Sequence, residues 1–298
     1  MEESSGNDHP LQKLRLRNLL LWMLLTLPVL ILCLIFVNAQ LPERYEDAIG
    51  FILFALWSYL IPLIWMLQNT KRAGLSLQTW LGEVPPNHAW LPTLAIVLPL
   101  IAFSIGSFWI LFYPLSFAIP DYVVEKLSTP QIEFVTSDRS PFPGLHNALL
   151  IVITVVLAPL VEELFFRGLL LPRLGLRWNT PKALVVSACI FGALHISILG
   201  LTMVGFVFGI AYLRSRTLWI PIVLHITNNA VAMFGTLIFF LTVGTQKETF
   251  TLETFQSSLW IGVLCLIFSV PWLVVFLHQN WAWVRAPLPD LQPPKRPE

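Results

Sequence analysis

Residues 146–171 read HNALLIVITVVLAPLVEELFFRGLLL, an apolar run in which only Glu162, Glu163 and Arg167 are charged. A helix needs about 20 mostly apolar residues to cross the hydrocarbon core of a bilayer, and this run is long enough. An ionisable side chain at the centre of such a helix costs about 2.5–3.5 kcal/mol on insertion scales. The run therefore predicts a membrane-spanning helix whose charged residues serve a functional site or a packing contact.

The composition of the whole chain is typical of a membrane protein. Of the 298 residues, 56% are hydrophobic and 12% are charged, whereas soluble domains carry about 25% charged residues. The formal net charge of +1 gives no basis for nucleic-acid binding, which shows as a basic patch or stripe. The three cysteines have no Cys-x-x-Cys spacing, so we expect buried apolar side chains rather than disulfides or a thiolate metal cluster.

The apolar runs predict an all-α fold, a polytopic transmembrane helix bundle with about eight spans. The runs are continuous rather than alternating, which argues against spanning strands. The sixth run is short and needs its flanking residues, or shelter inside the bundle, to cross the bilayer. The predicted spans are 19–37, 48–67, 91–111, 146–171, 182–198, 200–213, 218–243 and 259–278.

The distribution of basic residues predicts the orientation of these spans. If the N-terminus is cytosolic, all of the 18 Lys and Arg residues fall in or beside cytosolic segments except Arg44, Lys126, Arg139 and Lys247. An excess of Lys and Arg marks the cytosolic side of membrane proteins. We therefore predict a multi-pass protein with both termini in the cytosol.

The chain divides into three predicted regions. Residues 1–144 form an N-terminal membrane region with three spans and a long, proline-containing outer loop at 112–145. Residues 145–243 form a four-span core that contains all the polar motifs described next. Residues 244–298 hold the last span and a proline-rich tail whose composition predicts disorder.

The first polar motif is the pair of glutamates in the fourth span. Glu163 and Arg167 are four residues apart, so they share a helix face and can form an ion pair. Glu162 is rotated by about 100° and has no such partner, which leaves a desolvated carboxylate that can accept a proton. Pro159 lacks an N–H and should kink the helix, freeing a carbonyl. The alternative is a salt bridge that docks two helices, with Glu162 facing water.

Two further spans carry polar residues at helical spacing. Phe191 and His195 lie four residues apart in the fifth span, and His225 and Asn229 do so in the seventh. Each could be a packing histidine or a polar contact between helices. At about 1.5 Å per residue, the depths of these side chains are compatible with one cavity open to the cytosol. A carboxylate, two imidazoles and an amide that meet there could hydrolyse a peptide bond.

The ordered set of motifs resembles the CAAX-protease and bacteriocin-processing (CPBP) family of intramembrane endopeptidases. The set is E-E-x-x-x-R, then F-x-x-x-H, then H-x-x-x-N, on successive membrane segments. The family includes the CAAX prenyl endopeptidase of the Ras-converting type. The resemblance covers residues 145–240, and the other spans show no diagnostic motif.

The resemblance implies a role for each motif residue in the hydrolysis of a peptide or lipid-modified protein substrate in the bilayer. In chain order the implied roles are water activation by Glu162, support by the Glu163–Arg167 pair, a pocket wall from Phe191, water positioning by His195, and oxyanion stabilisation by His225 and Asn229. No motif position departs from the family pattern.

The cofactor and the activity itself have alternatives. The chain lacks the H-E-x-x-H zinc signature, so we expect that no cofactor is required; if zinc is used, its ligands would be Glu162, His195 and His225. Buried ionisable residues also mark transporters and proton relays, although the chain shows no internal repeat. A non-catalytic scaffold or immunity protein on the same fold is the third reading.

Overall fold

The computed structural model describes residues 10–128, 134–137, 140–243, 251–285 and 287–289. In these residues all regular structure is helical, which confirms the predicted all-α class. The helices, which we number in chain order, are α1 (Leu16–Gln40), α2 (43–72), α3 (Leu77–Leu81), α4 (Trp90–Ala118), α5 (Pro120–Ser128), α6 (Pro143–Arg177), α7 (Thr180–Ala193), α8 (Ile198–Ser215), α9 (Trp219–Val243), α10 (Leu252–Ser257) and α11 (Leu259–Val284).

Seven of the helices in the described residues are long and apolar enough to cross a membrane, as expected for an integral multi-pass protein. The predicted fifth span, 182–198, is the exception. It is the 14-residue helix α7, which ends at Ala193. Residues 194–197 form a turn before α8, so His195 lies in this turn rather than inside a helix. The sixth span, predicted to be the short one, is the 18-residue helix α8.

The segment predicted as an outer loop at 112–145 is largely helical where the structure describes it. The third span continues to Ala118, because its residues stay apolar well beyond the predicted end, and α5 follows at once. The three cysteines are free, as predicted, but the predicted burial is wrong: Cys33 and Cys189 are exposed and Cys265 is half-buried. The predicted disorder of the tail after Arg285 falls mostly outside the described residues.

Glycines allow two pairs of helices to approach closely. A Cβ on Gly192 of α7 would collide with Thr202 of α8. A Cβ on Gly106 of α4 would lie 2.8 Å from the carbonyl oxygen of Gly262 on α11. Small residues at such crossings are a feature of helix packing in membranes. The close α7–α8 contact lies beside the turn at 194–197 that joins the two helices and contains His195.

Three proline-induced π-turns interrupt the helices α2 and α6. The π-turns are Leu56–Leu60, Ile153–Leu157 and Phe166–Leu170. Each is followed after one residue by a proline, at positions 62, 159 and 172. Because proline has no N–H, the helix cannot close its usual hydrogen bond there and widens by one residue. Backbone carbonyls of α6 are thereby freed for side chains from other helices.

One end of the bundle gathers the C-terminus of α6, the loop between α8 and α9, and the short helix α3. The Leu218 N–H and the Thr217 hydroxyl both donate to the carbonyl of Leu81. Arg216 donates to the carbonyl of Pro287, and Arg173 donates to that of Leu11. We call this the basic end, because it carries most of the chain's Lys and Arg residues. Its cytosolic location remains a prediction.

The crossing of α4 and α11 gives the first prediction. Gly106→Ala places a methyl group against the backbone of α11, so the helices must separate. We expect a loss of about 1–3 kcal/mol in the free energy of unfolding, measured by thermal unfolding in detergent. Gly235→Ala in α9 is the matched control, since nothing lies within 4 Å of its Cβ position. Equal thermal stability of both variants would contradict the close crossing.

Candidate active site

The centre of the site is an ion pair inside the bundle. Nη1 of Arg167 donates to Oε1 of Glu163 at 2.7 Å, and the side chains are 2% and 0% exposed. Nη2 of Arg167 donates to the carbonyl of Gly205 on α8 at 2.8 Å. Glu163 and Arg167, four residues apart, thus form the ion pair that the sequence predicted. The guanidinium of Arg167 also connects α6 to α8.

Glu163 holds a second partner from α9. Nδ1 of His225 lies 2.8 Å from the same Oε1 of Glu163. Because an ionised carboxylate only accepts hydrogen bonds, Nδ1 must carry the proton. The other ring nitrogen, Nε2, therefore faces away from Glu163, towards Oε2 of Glu162 at 3.8 Å. That distance is too long for a direct hydrogen bond.

Aromatic rings enclose the ion pair and exclude solvent. The guanidinium carbon of Arg167 lies 5.0 Å from the ring centre of Phe191 and 5.7 Å from that of Phe208. The His225 ring packs on the same two rings, at 5.7 Å and 5.3 Å between centroids. Both phenylalanines are fully buried. Phe191 therefore packs directly against the ion-pair cluster, and its role as a pocket wall stays a prediction.

Glu162 lies in a different environment from its neighbour. Its side chain is 21% exposed, whereas Glu163 is wholly buried. No hydrogen bond from a described residue reaches its carboxylate, whose Oε2 lies 3.8 Å from Nε2 of His225. The turn of about 100° between adjacent helix positions thus leaves one carboxylate neutralised by Arg167 and the other partly exposed beside the imidazole of His225.

His195 is held by the end of α7. Its Nδ1 lies 2.7 Å from the carbonyl oxygen of Phe191, near the end of the helix, and this oxygen also accepts the Leu194 N–H at 3.4 Å. Since a carbonyl only accepts, Nδ1 carries the proton and Nε2 keeps its lone pair when the ring is neutral. Phe191 and His195, four residues apart, are therefore joined by a hydrogen bond to the backbone carbonyl of Phe191 as well as by packing of their rings.

Asn229 uses a carbonyl freed by Pro159. The Ala158 N–H donates to Ile153, five residues back, and Pro159 has no N–H to donate to Thr154. Nδ2 of Asn229 donates to that Thr154 carbonyl at 2.9 Å. The sequence predicted the freed carbonyl, and the structure shows which side chain occupies it. One of the two amide hydrogens of Asn229 therefore ties α9 to α6.

Comparison with known proteins found a family model and a curated relative that match part of the chain. Residues 144–231 match the family model described as "Type II CAAX prenyl endopeptidase Rce1-like". This match supports the resemblance of the motifs to the CPBP family. It is also 32% identical over 84 residues to the Bacillus subtilis (strain 168) protein named "Putative membrane peptidase YdiL", which covers 27% of this chain and 34% of that protein. The alignment thus spans about a third of that relative. No solved structure matches the chain.

The matched segment, residues 144–231, contains every site residue predicted from the motifs. Glu162, Glu163, Arg167, His225 and Asn229 lie on α6 and α9, and His195 lies in the turn between α7 and α8. The structure links Glu163 with Arg167 and His225 by hydrogen bonds, and brings Glu162 within 3.8 Å of His225. Asn229 is anchored on the next turn of α9.

The three residues predicted as possible zinc ligands, Glu162, His195 and His225, are present in the matched segment but do not form a metal site. Hydrogen bonds from both Nδ1 atoms leave Nε2 of His195 and His225 as the free nitrogens, which is how zinc-bound histidines are oriented. Among the described residues, however, no group of three or more His, Cys, Asp or Glu side chains lies close enough to hold a metal ion. We therefore assign no step of the chemistry to a metal.

Sequence reasoning missed several residues of the site. Gly205 supplies the carbonyl for Arg167, and Phe208 packs on both Arg167 and His225. Tyr59 on α2 lies within electrostatic range of Glu162. None of them stands in a recognisable motif. Tyr59 had one weak signal, since it is a polar-tipped residue inside a span, in the turn that precedes Pro62.

The buried ion pair gives the second prediction. Arg167→Met removes the positive partner of Glu163 and should cost about 3–5 kcal/mol of stability, because an uncompensated charge stays in a dry site. Thermal unfolding in detergent measures the change. Arg177→Met, at the exposed C-terminus of α6, is the control. Adding Glu163→Gln to Arg167→Met should recover part of the loss. A single variant as stable as the control would contradict this account of the pair.

Proposed function

We propose that this protein is an intramembrane endopeptidase that hydrolyses peptide bonds with water activated by Glu162. The observation that supports the proposal is the unequal treatment of two adjacent carboxylates. Glu163 is buried and neutralised by Arg167, whereas Glu162 has no hydrogen bond from the described residues and lies 3.8 Å from His225. A carboxylate that no described residue hydrogen-bonds, with an imidazole beside it, is a suitable general base.

The proposed reaction begins with a water molecule held between Glu162 and Nε2 of His195. Glu162 takes a proton from the water as its oxygen adds to the carbonyl carbon of the scissile bond. The carbonyl oxygen becomes the oxyanion of a tetrahedral intermediate. Glu162 then gives its proton to the amide nitrogen, the C–N bond breaks, and the products are a carboxylic acid and an amine.

His225 and Asn229 are proposed to stabilise the oxyanion. Asn229 uses one amide hydrogen for Thr154 and has a second one to donate. When Nε2 of His225 also carries a proton, it donates to the oxyanion while Glu163 holds the ring through Nδ1. Preorganised donors of this kind lower the barrier without reorganising during the reaction.

The proposed substrates are membrane-attached or membrane-proximal peptides, including lipid-modified proteins. The matched family is described as a prenyl endopeptidase, and the curated relative is named as a membrane peptidase. Both descriptions fit a centre buried among helices long enough to span a bilayer. The distribution of basic residues favours access from the cytosolic side.

The third prediction tests the role of Glu162. Purified protein in detergent is offered a panel of free and lipid-modified peptides, and products are identified by mass spectrometry. Glu162→Gln should lower the cleavage rate by about 10²–10⁴-fold, the contribution of a general base. Its thermal stability should change little, since the carboxylate has no hydrogen-bond partner among the described residues.

Glu253→Gln, an exposed glutamate on α10, is the matched control and should cleave normally. Cleavage that persists in Glu162→Gln would remove this residue from its proposed role. Activity lost with a chelator and restored by zinc would show that a metal is required. Absence of cleavage together with substrate flux into vesicles would favour a transporter instead.

The fourth prediction concerns Asn229. Asn229→Ala removes a proposed oxyanion donor and should lower kcat by about 10²–10³-fold, with little change in KM, because the ground-state carbonyl carries less charge than the oxyanion. Thr227→Ala is the control on the same helix, since its hydroxyl donates only to Val223 of its own helix. If the loss of activity in Asn229→Ala is accompanied by a large loss of thermal stability, Asn229 acts by connecting α9 to α6 rather than as an oxyanion donor.

A further inference from the structure

A cavity of about 540 Å³ lies at the basic end, between α4, α8, α9 and α11. None of the catalytic candidates lines it. Its lining includes one fully charged side chain, Arg214, together with His88 and the amides of Asn87, Gln279 and Asn280. No acidic residue is present among the described residues that line it. The cavity is therefore a positive environment without a negative counterpart.

Arg214 is held in place but not neutralised. Its Nη1 donates to Oδ1 of Asn280 at 2.9 Å, and Nδ2 of Asn280 donates to the Phe276 carbonyl at 2.8 Å. In the described part of the chain, no carboxylate forms a salt bridge with this guanidinium. Its remaining N–H groups are free to donate to a ligand, and planar oxyanions and phosphates suit that geometry.

His88 lies at the same mouth of the cavity. Its Nε2 lies 3.0 Å from the hydroxyl oxygen of Thr93, and its ring packs edge-on against Trp90 with 4.8 Å between centroids. Partial burial and, secondarily, the charge of Arg214 lower the pKa of His88 below its ordinary value. The fixed positive charge at the mouth therefore belongs to Arg214, with His88 and the amides as polar partners.

The deeper part of the cavity is apolar. Val207, Ile210, Ile220 and Leu224 are all almost completely buried and line it. Val207 and Arg214 are seven residues apart on α8, which corresponds to about 10 Å along the helix axis. The cavity thus combines a cationic mouth with an apolar wall of about two helical turns.

The cavity is separated from the catalytic candidates by a packed wall. Val207 and Leu224 line the cavity, while the next residues on their helices, Phe208 and His225, face the ion-pair cluster. All four are at most 3% exposed. A peptide held at Arg214 would have this wall between itself and Glu162, which disfavours the carboxylate of a bound substrate as the occupant.

Tryptophans place the cavity at the edge of the bilayer. Trp90 packs on His88, Trp219 precedes the lining residue Ile220, and Trp281 follows Asn280. Trp219 and Trp281 are 39% and 49% exposed. Tryptophan is enriched at the depth of the lipid headgroups, and basic pockets between spans on the cytosolic side suit anionic headgroups.

We propose that this cavity binds an anionic phospholipid, with the phosphate headgroup at Arg214 and the start of an acyl chain along the apolar wall. The proposal does not depend on the proposed peptidase activity. It assigns a function to the unpaired Arg214 and to the apolar cavity below it, neither of which the catalytic chemistry uses.

The fifth prediction tests the lipid site by native mass spectrometry of the detergent-purified protein, titrated with phosphatidylglycerol or phosphatidylcholine. The wild-type protein should retain phosphatidylglycerol preferentially. Arg214→Gln should weaken this binding by about fivefold, the effect of one basic residue near an anionic lipid. Arg214→Lys should retain most of it. Arg177→Gln, a basic residue at the same end that does not line the cavity, should bind normally.

Three further arms identify the occupant: a cavity-filling variant, competition with phosphates and displacement by a peptide. Ala211→Phe fills the apolar part of the cavity and should reduce phosphatidylglycerol binding even with Arg214 intact, provided thermal unfolding shows that the variant is folded. Inorganic phosphate or glycerol phosphate that binds as tightly as the lipid would overturn the proposal. So would displacement of phosphatidylglycerol by a peptide with a free C-terminus but not by its amide. Equal retention of both lipids by wild type and Arg214→Gln would also overturn it.

Discussion

The buried carboxylate of Glu163 is the interaction on which the polar centre of this protein depends. Its Oε1 accepts hydrogen bonds from both Arg167 and His225. Arg167 also donates to the backbone carbonyl of Gly205 on α8. A charge in such a dry place is tolerated only when it is paired and hydrogen-bonded. The carboxylate therefore holds α6, α8 and α9 in one relative position, with phenylalanine rings keeping water out.

Glu162 acquires its character from that arrangement. The two glutamates are adjacent in sequence, but one is neutralised inside the bundle and the other is partly exposed beside the imidazole of His225. Their difference arises from the helical rotation between neighbours and from the single guanidinium available to them. Similar side chains placed in unlike environments are how proteins give carboxylates separate roles.

The prolines of α6 contribute to the same centre through the backbone. Each one deprives the helix of a hydrogen bond, and the helix widens into a π-turn. Inside a bilayer a freed carbonyl must find another donor. The side-chain amide of Asn229 donates to the Thr154 carbonyl. The indole N–H of Trp80 donates to the Gly168 carbonyl at 2.8 Å. The irregular backbone of α6 thus becomes a set of anchors for α9 and for the short helix α3.

The sequence by itself determined the helical class, the membrane location of most spans, and the Glu163–Arg167 pair, because these follow from apolar run length and from helical periodicity. It also singled out His195, His225 and Asn229, since polar residues are costly in apolar runs. Tertiary structure alone decided that α7 ends before His195, that the Thr154 carbonyl receives Asn229, and that Phe208 and Gly205 complete the centre. These contacts join helices far apart in the chain, and no local pattern encodes which faces of two helices meet.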